Sequence, residues 1–80
     1  MTHTILRLPG VVAGTGLSRS TIYLRIAQGL LTKPVSLGGR AVGWPACEVA
    51  ALNAARIAGK SNADVRNLVA KLEAGREEAV

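Results

Sequence analysis

The segment Thr15-Gly16-Leu17-Ser18-Arg19-Ser20-Thr21-Ile22-Tyr23 constrains this chain more than any other. Gly14 and Gly16 break one run of residues and permit a tight turn, and Ser18 then supplies a hydroxyl suited to capping a new helix. The first turn of that helix carries only small polar side chains and one arginine, while Ile22 and Ile26 recur at the spacing of an inward face. A helix built only to fill a core does not open this way. Two readings fit the segment taken alone: an ordinary capped surface helix, or one whose Arg19, Ser20 and Thr21 stay free to face a partner.

The flanking residues place that helix in a larger pattern. Ile5 to Leu8 is short and apolar, Pro9 suits the first turn of a helix, and Val11, Val12 and Ala13 continue it to Gly14. Leu17 plugs the angle between this helix and the next, which ends near Gly29 in a C-cap position. Two short helices around a glycine turn make a helix-turn-helix. Leu30 to Pro34 is a connector, after which Val35-Ser36-Leu37 and Ala41-Val42-Gly43-Trp44 flank Gly38-Gly39-Arg40 and predict a two-stranded hairpin, or wing, with Arg40 at or just after its tip. Trp44 is expected in the core, because a domain this small needs its one large aromatic inside. Pro45 opens a helix in which Val49, Leu52, Ala55 and Arg56 or Ile57 continue at helical spacing to Gly59.

Ser61-Asn62-Ala63-Asp64 resembles a capping box and opens a last helix, ended by Gly75, beyond which the tail from Arg76 is expected to fray. Its apolar residues Val65, Leu68, Val69 and Leu72 form one stripe that must be covered, either by the chain's own core or by a second copy in self-association. The expected fold is mainly α with a small β-hairpin. A winged helix-turn-helix spans residues 1–59, and an amphipathic helix with its tail spans residues 60–80.

The chain of 80 residues has room for one small core and no large catalytic cleft. Its formal charge of +5 is unevenly placed. Residues 1–47 hold Arg7, Arg19, Arg25, Lys33 and Arg40 with no acidic residue, whereas residues 48–80 set Arg56, Lys60, Arg66, Lys71 and Arg76 against Glu48, Asp64, Glu73, Glu77 and Glu78. The second set is the mixture expected of solvated helix faces, so attraction to a polyanion belongs to the N-terminal part.

Enzyme motifs fail on inspection. Gly14-Thr15-Gly16 has Arg19 where a dinucleotide fingerprint needs its third glycine, and Gly59-Lys60-Ser61 has Ala54 where a P-loop needs its first. Cys47, the one cysteine, has no base close in sequence, and His3 lies near the terminus, so nucleophilic catalysis has little support. No metal quartet, intramolecular disulfide or cofactor site is expected from one histidine and one cysteine. The start Met-Thr-His-Thr lacks a signal peptide's basic region and no apolar run approaches the ~20 residues that span a bilayer, so no membrane partner and a cytoplasmic location are expected.

The order of a short helix, Thr15 to Tyr23, Gly29, Pro34-Val35, then Leu37-Gly38, Arg40-Ala41-Val42-Gly43-Trp44 and Glu48-Val49 resembles the AlpA family of phage and prophage regulators, over about Leu6 to Ile57. The resemblance implies a small winged helix-turn-helix related to the MerR and excisionase DNA-binding domains. It implies a bacterial, DNA-associated regulator of mobile-element genes whose second helix enters the major groove while the wing lies against the backbone or minor groove. Carried over by position, Ser18, Arg19, Ser20 and Thr21 match the start of the recognition helix, Arg40 matches the wing arginine, and Tyr23 matches a position near the backbone. The chain departs from the family pattern at Gly10, usually acidic, at Leu24, usually arginine, at Leu31-Thr32, usually Phe-Pro, and at Leu52, often Trp.

The candidate DNA-binding residues are therefore Ser18, Arg19, Ser20, Thr21, Tyr23, Arg25, Lys33 and Arg40. Arg19 can reach guanine bidentately or a phosphate, Ser18 caps first and touches phosphate second, and Tyr23 either donates to a phosphate or packs inward. Arg25 sits one position after the family's usual arginine. Lys33, with Arg7, adds sequence-independent attraction. The expected function is sequence-specific transcriptional regulation through double-stranded DNA, with integrase or RNA polymerase as protein partners. The alternatives are an excisionase-like factor that bends DNA for recombination, and a protein-interaction module or antirepressor acting through the last helix.

Overall fold

A computed structural model describes residues 4–76, so His3 and the tail residues 77–80 lie outside the described part. The elements run β1 (Ile5–Leu6), α1 (Leu8–Thr15), α2 (Arg19–Ala27), β2 (Val35–Gly38), β3 (Ala41–Pro45), α3 (Ala46–Ile57) and α4 (Asn62–Ala74). Gly16, at φ 73°, turns the chain out of α1 in the left-handed region that side chains avoid, and its N–H closes on the Val12 carbonyl. Thr15 stitches the same turn: its hydroxyl donates to the Val11 carbonyl at 2.7 Å and accepts from the Leu17 N–H at 3.3 Å. From the far side, Asn53 of α3 donates through Nδ2 to the Gly14 carbonyl at 2.8 Å. Leu17 is half-buried between the helices, as its place in the turn predicts.

The hairpin forms as expected, but the sheet has three strands in the order β1-β3-β2, all antiparallel. Ile5 pairs with Pro45 and Leu6 with Trp44, whereas the apolar run from Ile5 was expected only to lead into the first helix. A two-residue strand has no periodicity to read; it exists because β3 presents an edge beside it. The approach is close. A Cβ on Gly43 would stand 2.5 Å from Ile5 Cγ2 and 3.1 Å from the Leu6 carbonyl oxygen, so the absent side chain at Gly43 admits β1.

Trp44, Ile22, Val11 and Val65 are fully buried at the centre of the core, with Leu30, Leu31, Val49, Leu52 and Val69 around them. The Trp44 indole N–H donates to the Thr32 carbonyl at 3.0 Å, giving the buried ring the polar partner it needs. Ile57, one of two candidates to continue the inward face of α3, is 88% exposed.

The apolar stripe of α4 is covered from within the chain. Val65 and Val69 are 1% and 5% exposed, and Leu68 and Leu72 pack against the same core. Of the two coverings expected for Val65, Leu68, Val69 and Leu72, this chain makes the first, packing the stripe on its own core, as suits a chain short of apolar volume.

Polar contacts fasten α4 at both ends. Ser61 caps its start by accepting from the Asp64 N–H at 3.2 Å, and Arg66 Nε donates to the Gln28 carbonyl at 2.9 Å, just past the end of α2. At the other end Arg76, expected to fray, grips the carboxylate of Glu48 with two nitrogens at 2.7 and 2.8 Å. Glu48 was expected on a solvated face; it is buried, and this bidentate pair is what makes its burial tolerable. The hydrogen bonds to Glu48 hold the Arg76 guanidinium protonated beyond its ordinary range, against the opposing effect of partial burial and with added attraction from the Glu48 and Glu73 charges. Arg76 also donates to the Lys33 carbonyl at 2.6 Å, while the Lys33 N–H donates to Glu73 Oε2 at 2.8 Å. The connector into the hairpin is thus clamped by Glu73 in the last turn of α4 and by Arg76 just beyond it. Two short helices across a glycine turn, a hairpin and two helices packed behind them make the fold a winged helix-turn-helix, mainly α with a small antiparallel sheet.

Candidate nucleic-acid interface

Helix α2 begins at a built cap. Ser18, in extended backbone, accepts from the Thr21 N–H at 3.3 Å and lies 2.8 Å from the Thr21 hydroxyl and 3.5 Å from that of Ser20. These three hydroxyls form one cluster over the helix start. The first turn carries no acidic residue, so nothing there offsets the positive end of the helix dipole.

Helical geometry sorts the remaining candidates. Ile22 is fully buried and Ile26 packs against the core, which fixes the inward face. Arg19 and Tyr23 are one turn apart and both exposed, as are Ser20 and Leu24. Tyr23, for which the sequence leaves both an outward and an inward ring open, is 44% exposed. Thr21 and Arg25, also one turn apart, are half-buried along the flank. Arg25 therefore leaves the exposed row and lines a groove with Leu30, Leu52 and Arg56. Leu24, which the sequence marks only as a departure from the family pattern, is 55% exposed and shares the outward face with Arg19.

The other two candidates sit outside α2. Arg40 is exposed in the turn after Gly38 and Gly39, between β2 and β3. Lys33 is exposed on the connector, its backbone held on both sides by Glu73 and Arg76. None of the described carboxylates belongs to α2 or the hairpin: Glu48 is paired with Arg76, Glu73 accepts from the Lys33 N–H, and Asp64 stands in the first turn of α4. The clamp residues Glu48, Glu73 and Arg76 escaped the sequence reading because their contacts span 28 to 43 positions.

The family profile described as prophage CP4-57 regulatory protein (AlpA) matches residues 4–56, from before β1 to the last turn of α3. The chain belongs to the AlpA family. A relative among curated proteins, the uncharacterized protein ORF88 of Enterobacteria phage P4, is 53% identical over 55 residues, covering 69% of this chain. The matched segment spans 62% of that relative's length. No solved structure matches the chain. AlpA-family membership makes this a protein of a prophage regulatory family, and the matched segment contains the helix-turn-helix, the hairpin and α3 while leaving α4 outside. Among the described residues, no helix is long and apolar enough to cross a membrane, and no cluster of three or more His, Cys, Asp or Glu is placed to hold a metal ion.

Proposed function

We propose that the chain is a sequence-specific, double-stranded-DNA-binding transcriptional regulator of phage or mobile-element genes, without catalytic activity. The observation that carries the reading is the exposed, acid-free row on α2: Ser18, Arg19, Ser20 and Tyr23 outward, Ile22 inward, with Arg40 on the hairpin tip. In this reading α2 lies in the major groove. Arg19 pairs with the O6 and N7 of a guanine, Ser18 and the free N–H groups of the first turn hold a phosphate, and Leu24 rests against a thymine methyl. The hairpin lies along the backbone or minor groove, where Arg40 meets the concentrated negative potential. Lys33 adds attraction without sequence preference, and the clamp from α4 fixes the connector that carries it.

Titration with a duplex selected from a random pool tests this. Affinity should fall steeply and linearly on a log–log salt plot, and Arg19→Ala should cost about 1–3 kcal/mol on the selected duplex while relaxing preference at one base pair. Equal losses on selected and random duplexes would make Arg19 a phosphate contact. Salt-independent binding, or none at low salt, would end the reading.

A further inference from the structure

Away from the exposed row of α2, a groove of about 230 Å³ runs between the α1–α2 turn, the end of α2 and the second half of α3. Its floor is apolar, built by Leu17, Leu30 and Leu52, and Arg25, Asn53 and Arg56 stand along it. Asn53 is already committed to the Gly14 carbonyl. The two arginines are not committed in the same way: Arg56 uses one nitrogen on Asn62 Oδ1 at 3.1 Å, and among the described residues neither guanidinium is paired with a carboxylate. Two guanidiniums over a leucine floor form an amphipathic trough, positive at the edge and apolar at the base. Its complement is an apolar side chain with carboxylates beside it.

We propose that this groove docks a short acidic segment of a partner protein, with a leucine or similar side chain on the floor and flanking carboxylates on Arg25 and Arg56. Charge complementarity selects the sign of the occupant: no acidic residue precedes Glu48, and Glu48 itself is bound to Arg76. Size and shape select a peptide over an enclosed metabolite. The volume is below the ~300–1,000 Å³ typical of small-molecule pockets, and the groove is open along one side. Arg25, half-buried on the flank of α2, then serves a protein partner while Arg19 and Tyr23 face elsewhere.

The test uses the full chain, isotope-labelled, titrated with the amidated hexapeptide Asp-Glu-Leu-Leu-Asp-Glu. Saturable amide shifts should gather at Leu17, Arg25, Leu30 and residues 52–56. The peptide Lys-Lys-Leu-Leu-Lys-Lys should produce none. Arg25→Gln with Arg56→Gln should weaken binding about tenfold or more with an unchanged circular dichroism spectrum. Should that pair fail to fold, Arg56→Gln alone, at an exposed position, carries the same expectation with a smaller loss. Shifts spread over Arg19, Tyr23 and Arg40 would mean the peptide only mimics a polyanion at the exposed face, and would overturn the proposal. So would groove shifts that track protein concentration without peptide, which indicate a second copy, or shifts there on adding duplex DNA. Absence of saturable shifts overturns it as well. Duplex binding measured alongside reads the DNA proposal independently.

Discussion

Arg19 and Arg40 stand exposed on α2 and the hairpin without a carboxylate partner among the described residues, whereas Arg56, Arg66 and Arg76 each close a hydrogen bond within the chain. The two halves carry equal numbers of cations, five before residue 48 and five after it, yet they use them differently. In the second half, cations and carboxylates fasten α4 to the end of α2, to α3 and to the connector. In the first half packing does that work, through Trp44, Ile22, Val11 and the β1–β3 contact, and Arg19, Lys33 and Arg40 face outward while Arg25 lines the groove beside α3. Formal charge counts do not separate these cases. What separates them is whether a cation's partner is supplied by the same chain.

Removing the buried Glu48–Arg76 pair should disturb the second half most. Arg76→Ala leaves the Glu48 carboxylate buried and uncompensated, a change that costs about 3–5 kcal/mol for a fully buried pair. The Arg76 side chain is 23% exposed, so the lower end, about 3 kcal/mol, is expected in urea denaturation. Exchanging both partners for methionine should recover most of the loss, since an apolar pair has no charge to desolvate. A single variant as stable as the parent would show that α4 is held by its apolar stripe alone.

The first half should respond to shape. Gly43→Ala brings a methyl against Ile5 and the Leu6 carbonyl, and β1 must shift to admit it; overpacking of this kind costs about 1–3 kcal/mol. Amide exchange should rise first at Ile5 and Leu6. Unchanged stability would mean that β1 contributes little.

Local signals explain what was readable in advance. The Ser18 cap, the glycine turn and the Ser61 cap each depend on residues within four positions of one another, the Gly38-Gly39 hairpin on pairs no more than eight apart, and each is present. Trp44 is fully buried, as its size alone argues. What escaped depends on distance along the chain: β1 needs β3, Glu48 needs Arg76, and the α4 stripe could be assigned to its own core only once the fold closed over it. At the candidate site, period 3.6 separates Ile22 from Arg19 without a structure, whereas the outward placement of Tyr23 is decided only by the fold. The half-burial of Arg25 depends on how α2 leans over the connector and α3, which no spacing encodes.

Arg40 sharpens the contrast with Arg66. Arg40→Ala should leave the thermal midpoint unchanged, weaken duplex binding about fivefold on any sequence and lower the salt slope by about one. Arg66→Ala should do the reverse, lowering stability through the lost hydrogen bond to Gln28 and leaving the salt slope alone. If Arg40→Ala destabilised the fold as much as it weakened binding, the hairpin tip would be structural.

The smallest effects come from two matched serines. Ser18 and Ser61 cap α2 and α4 with the same geometry, accepting from an N–H three residues on at 3.3 and 3.2 Å, and replacing either with alanine should cost about 1 kcal/mol of stability. The cost should be alike because the lost hydrogen bond is alike. Binding should not be. Ser18 stands beside Ser20 and Thr21 at the positive end of the helix proposed to meet DNA, so Ser18→Ala should also weaken duplex affinity at temperatures where the variant is fully folded. Ser61→Ala, at the start of a helix that faces the chain's own core, should bind as the parent does. Equal binding by the two variants would assign Ser18 to capping alone and leave Arg19 as the first residue of α2 to touch DNA.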